Sequence, residues 1–131
     1  MDENAAKLLA RVAAWVTEQS GRPEAPEAFP DEILELATVE RVRSLLGVEF
    51  GYLPRIGLLL LFEHLAPPYA ELRDAFHEGL RLGDVSAIKH DIRILGPHIQ
   101  RCDIERILED IAATDNDQAD GIVYWLNRTP L

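Results

Sequence analysis

The chain has 131 residues, with 23 aspartates and glutamates against 13 lysines and arginines, a formal net charge of −10. That length fits one folded domain, and 47% hydrophobic with 27% charged residues excludes a wholly disordered chain. The acidic balance argues against a nucleic-acid binder, which needs Lys and Arg against phosphate, and against docking on an anionic membrane.

The longest apolar run, Ile56 to Phe62, is far shorter than the roughly 20 residues of a membrane span. The acidic start, Met1-Asp2-Glu3, lacks the basic and apolar regions of a signal peptide. Cys102 is the single cysteine and has no partner for an internal disulfide. The expectation is a cytoplasmic protein.

The first predicted helix runs from Glu3 to Ser20. Leu8, Leu9, Val12, Trp15 and Val16 recur at helical spacing, with Asp2 and Glu3 at the N-terminal dipole and Gly21 as the stop. Residues 21–30 hold three prolines and read as a loop whose Phe29 staples it to the core. A second helix is predicted from Pro30 to Leu46, continuous with a kink and ended by Gly47; a fresh start capped by Thr38 is the alternative. Residues 48–53 read as a connector, because Gly51 weakens any strand.

Pro54 opens a third helix to Leu65. It is apolar on almost every side, the pattern of a central element. A fourth helix spans Pro68 to Leu82, with Leu72, Ala75, Phe76 and Leu80 inward. Asp84 caps a fifth, whose Val85, Ile88, Ile92 and Leu95 form one stripe ended by Gly96-Pro97. A sixth begins near Asp103, with Ile104, Ile107, Leu108 and Ile111 inward. Asp115 or Asn116 caps the last, where Ala119, Ile122, Val123 and Leu126 share a face.

The fold class is therefore all-α: one domain over 1–131, either a bundle or a short stack of about seven helices. The helix starts near 54, 68, 84, 103 and 117 give a hairpin rhythm that resembles HEAT-like repeats over residues 54–127.

The search for catalytic chemistry finds little. His64, His77 and His90 are 13 residues apart, each beside an acid, and would form an open zinc site if their helices converged. HExxH is absent, and Asp74-x-x-His77 is only half of a di-iron motif. Cys102 lies in mixed charge and reads as a buried or semi-buried structural thiol. The DNDQADG stretch fails as a calcium loop, since no register supplies both the acids and the final glutamate. No GxSxG, P-loop, GxGxxG or paired CxxC occurs. The expectation is no metal, no cofactor and no enzyme.

Charge is more informative. Residues 103–120 hold seven acids against Arg106 alone, and a second acidic cluster covers Glu18 to Glu35. Asp110, Asp115, Asp117, Asp120 and the nearby Trp125 make a candidate docking face for a basic protein. In size, acidity and helical character the chain resembles small bacterial immunity proteins, some of which are HEAT-like. That resemblance implies a protein that neutralises a toxin by covering its basic active site, and it transfers no residues. The alternatives are a metal-dependent enzyme using the three histidines and a homo-oligomeric structural or adaptor subunit, a homodimer being the simplest form.

Overall fold

Eight α-helices and one 3-10 turn occupy the described residues, 2–19 and 28–131, of a computed structural model. No strand occurs among them, and no helix is long and apolar enough to cross a membrane. The all-α class follows directly. The helices divide into two compact units, Met1–Ala66 and Pro67–Leu131.

In the first unit, α1 spans Glu3–Glu18. The Asp2 carboxylate accepts the Ala5 N–H at 2.7 Å and satisfies one of the donors orphaned at a helix start. Leu8, Val12, Trp15 and Val16 of the expected stripe are buried, joined by Ala5, while Leu9 is only half-buried. Phe29 lies 4.4 Å from the Trp15 ring, so the stapling role expected of it is realised. Gly21 and most of the proline-rich loop lie outside the described residues.

The predicted 30–46 helix is two helices, α2 (Asp31–Leu34) and α3 (Val39–Leu46). The cause is Thr38. It takes an extended backbone, and its hydroxyl accepts the Arg41 N–H at 3.1 Å. Arg41 also donates to the Leu36 carbonyl, closing the break. A local side-chain cap has outcompeted helix continuation.

Helix α4 (Tyr52–His64) starts two residues before Pro54, with Gly51 as its N-cap, so the connector is shorter than predicted. Its Leu58, Leu59, Leu61 and Phe62 are fully buried, the central role its composition implied. It crosses α1 so closely that a Cβ on Gly57 would lie 2.3 Å from Val16 and 2.5 Å from Val12.

The second unit contains α5 (Tyr69–Leu82), α6 (Lys89–Leu95), the 3-10 turn Gly96–His98, α7 (Arg101–Ala112) and α8 (Asn116–Leu126). Its core holds Phe76, Leu80, Ile88, Ile92, Leu95, Ile111 and Ile122. The fifth predicted helix is shorter than its pattern. Asp84 caps a turn, accepting the Ser86 N–H and hydroxyl at 2.8 and 2.7 Å, and regular helix begins only at Lys89. Those two bonds hold the Asp84 carboxyl below its ordinary range. Val85 is consequently 39% exposed and not part of the core stripe.

Two long-range bonds tie the helices of this unit together. The Gln118 amide of α8 donates to the carbonyls of Leu80 and Gly83 at 2.6 and 2.9 Å, partnering acceptors left open where α5 ends. The Tyr69 hydroxyl of α5 accepts the Gln100 N–H at 3.0 Å and donates to Asp103 at 2.5 Å. Gln100 makes no side-chain cap for α7, and Tyr69 does that work from a neighbouring helix. Burial and the bond to Asp103 push the Tyr69 phenol up.

His90 makes this unit acid-sensitive. Its half-buried ring, beside Arg93 and Lys89, is pushed down to about 4 from 6.5, chiefly by desolvation. The neutral ring is thus the native form. As pH falls below 6.5 the unfolded chain takes up a proton that the folded chain resists, so stability is full above pH 6.5 and is lost as pH falls through 4. Solvent screening of a half-exposed ring limits the loss to about 1–2 kcal/mol. Urea unfolding of His90→Asn between pH 7 and 4 is expected to lack this component; an unchanged pH slope would refute the assignment.

Candidate functional site

Helices α7 and α8 form a hairpin joined at residues 113–115, and every residue of the proposed acidic face lies on it. The hairpin forms because Ile104, Ile107 and Ile111 on α7 and Ala119 and Ile122 on α8 are apolar at helical spacing and buried.

The five candidate residues take different positions. Asp115 is the N-cap of α8: its carboxylate accepts the Gln118 N–H at 3.0 Å. Charge reversal there costs helix stability, so Asp115 is a structural residue first. Asp117 and Asp120 follow on the first turns of α8, both exposed. Asp110 points to the other flank of α7. Its carboxylate meets His77 Nε2 of α5 at 2.9 Å, with side chains 63% and 34% exposed.

This second flank is a cleft of about 370 Å³ lined by Arg73, His77, Asp103, Arg106, Ile107 and Asp110. Asp103, Arg106 and Asp110 stand at i, i+3 and i+7 on α7, which puts them on one side of that helix. Asp103 is loosely paired with Arg106 at 3.7 Å. The charges of this flank largely cancel. The unbalanced acids are those of α8 together with Glu109 on the outer side of α7, where Glu105 is paired with Arg101 at 3.6 Å.

Trp125 is held against its own unit. It is half-buried and its indole N–H donates to the Val85 carbonyl at 2.7 Å, while Lys89 sits 5.5 Å from the ring. It pins α8 to the 85–89 segment. Tyr124, one residue earlier, is the exposed aromatic at 47%, stacked under the Arg128 guanidinium at 3.5 Å.

The structure also exposes a surface the sequence pattern hid. A groove of about 560 Å³ lies between α7 and α8, lined by Ile104, Leu108, Val123 and Leu126, with Pro97 and Leu131 also on its wall. Val123, expected inward, is 42% exposed along it, and Leu108 and Leu126 are only half-buried. The missed signal was stripe width: apolar residues on both hairpin helices extend past the stripe that the core covers.

The three histidines are dispersed. His64 is exposed at the end of α4 with its ring 5.4 Å from Phe29, His77 is on α5 against Asp110, and His90 is on α6. Among the described residues, no three His, Cys, Asp or Glu side chains are grouped to hold a metal ion. Cys102 is exposed, its thiol 3.8 Å from the Gln100 side-chain oxygen, which corrects the expectation of a buried or semi-buried thiol.

Comparison with protein-family models, with curated proteins and with solved structures finds no match. The functional reading therefore rests on the α7–α8 hairpin itself.

Proposed function

We propose that this chain is a protein-binding module that docks a basic partner through the α7–α8 hairpin. The observation that carries the reading is the surface composition of α8. Asp117 and Asp120 are exposed on the helix that also exposes Val123 and Tyr124. Exposed carboxylates beside exposed apolar and aromatic side chains combine long-range attraction with area to bury, the two elements of a protein interface. The net charge of −10 gives a basic partner faster encounter and suppresses acidic ones.

The specific form of the proposal is an immunity protein. The acidic hairpin would cover the basic working site of a toxin domain and block it by occlusion, with no chemistry required of this chain. Asp117 and Asp120 would supply attraction, and Asp115 and Trp125 would hold the helix that presents them.

A pull-down from native lysate with tagged protein at low and high salt, read by mass spectrometry, tests this. One dominant basic partner, weakened by salt, is expected. Asp117→Lys with Asp120→Lys should weaken that partner's binding about 10- to 100-fold, or about 1.4–2.8 kcal/mol, with helix content unchanged. Unchanged affinity in the double variant would sink the proposal.

A further inference from the structure

We infer that the groove between α7 and α8 is a seat for an amphipathic basic helix of the partner, which buries its apolar side against Ile104, Leu108, Val123 and Leu126. This rests on the reading of the hairpin as the partner-binding face and adds where, and by what element, the partner engages.

Three observations select this occupant. The first is shape. The groove's lining residues on α7 run from Arg101 to Leu108, about 10 Å, or two helical turns. Two turns admit anchors at i, i+3 or i+4, and i+7 from one docked helix. The second is chemistry of the floor. Its four walls are aliphatic, and Val123 at 42% exposure gains most by being covered.

The third is charge. On α7, Glu105 lines the groove and Glu109 follows it by one turn; on α8, Asp120 lies three residues before Val123. All three are exposed. Glu105 is paired at 3.6 Å with Arg101, which also lines the groove, and Arg128 lies on the Tyr124 ring, so the acidic character rests on Glu109 and Asp120. The groove is thus apolar along its floor and acidic toward the hairpin turn. A helix with an apolar stripe and lysines or arginines beside it complements both features, and its basic end would lie toward residues 113–115.

The test uses the whole chain and synthetic peptides of about 15 residues, long enough to form helix on a surface. One carries leucines at i, i+3, i+4 and i+7 flanked by lysines. A second has the same composition scrambled, so that charge is kept and the stripe is lost. Binding is read by fluorescence anisotropy and located by methyl NMR of the wild-type protein. The patterned peptide is expected to bind about tenfold more tightly than the scrambled one. Its shifts should centre on Ile104, Leu108, Val123 and Leu126. Val123→Asn removes a methyl pair from an exposed position without altering charge, and should weaken only the patterned peptide, about fivefold.

Equal, salt-sensitive binding of both peptides would overturn the groove inference and leave the acidic docking face standing. Binding of neither at low salt would count against both. Concentration-dependent dimerisation by light scattering, with the groove methyls shifting on dilution, would overturn it in favour of a second copy of this chain as the occupant.

Discussion

Gly57→Ala is expected to destabilise the Met1–Ala66 unit by about 2 kcal/mol, although alanine is the better helix former by about 1 kcal/mol. The reason is the α1–α4 crossing. A Cβ at residue 57 would lie 2.3 Å from a Val16 methyl and 2.5 Å from a Val12 methyl, distances at which something must move. Val12 is fully buried and Val16 nearly so. Both are β-branched and confined to one favoured rotamer in a helix, so neither can turn aside. The helices must separate, at the cost typical of an overfilled core. Gly57→Leu should prevent folding of this unit. In a double-mutant cycle, Val16→Ala should offset part of the Gly57→Ala loss, with coupling of about 1 kcal/mol or more. Additive losses in urea unfolding would show that the crossing is looser than described.

Arg55→Met is expected to cost about 3 kcal/mol, the larger of the two single-residue losses. Arg55 is only 5% exposed. Its guanidinium donates to the Leu46 carbonyl at 2.6 Å and the Glu49 carbonyl at 3.1 Å, and lies 4.7 Å from the Phe50 ring centroid. Leu46 is the last residue of α3, where carbonyls lack intrahelical partners and the dipole favours a cation. Methionine keeps the bulk but leaves these acceptors facing an apolar side chain. Lysine should recover part of the loss through its charge, though not the planar stacking on Phe50. Thermal unfolding of the three proteins would check the order wild type, lysine, methionine. Equal stabilities would mean that the carbonyls find water instead.

Local signals were legible in the sequence, and non-local ones were not. Asp115 was recognisable as one of two candidate caps because capping is a contact between residues three apart, and Asp2, read as a dipole partner, proves to be the cap of α1. The buried character of α4 followed from its leucine run. Thr38 shows where propensity reading divides: the same residues allowed a continuous helix or a capped restart, and the Thr38 cap on the Arg41 N–H decided it, with Arg41 bonding Leu36 across the break. Val85 and Val123 were misplaced for a different reason. Periodicity identifies which face of a helix is apolar, but whether another element covers that face is a tertiary fact. The Tyr69 bond to Asp103 joins residues 34 apart and has no local signature.

The docking face was legible as composition and not as geometry. Seven acids between 103 and 120 marked the region. The division of those acids between two flanks of α7 was available from helical spacing alone, since Asp103, Arg106 and Asp110 share one side. The position of Trp125 was not. An indole beside acids reads equally as a partner anchor or as a structural pin, and its bond to the Val85 carbonyl, 40 residues away, makes it the pin. Tyr124 and Val123 are the exposed residues beside it that the proposed interface would use.

The most direct measurement of the central claim is hydrogen–deuterium exchange of this chain, free and in complex with the partner retained at low salt. The account expects new protection along residues 104–109 and 117–127, and little change in α1 to α4. Protection confined to the Met1–Ala66 unit, with the α7–α8 hairpin exchanging as in the free protein, would contradict it.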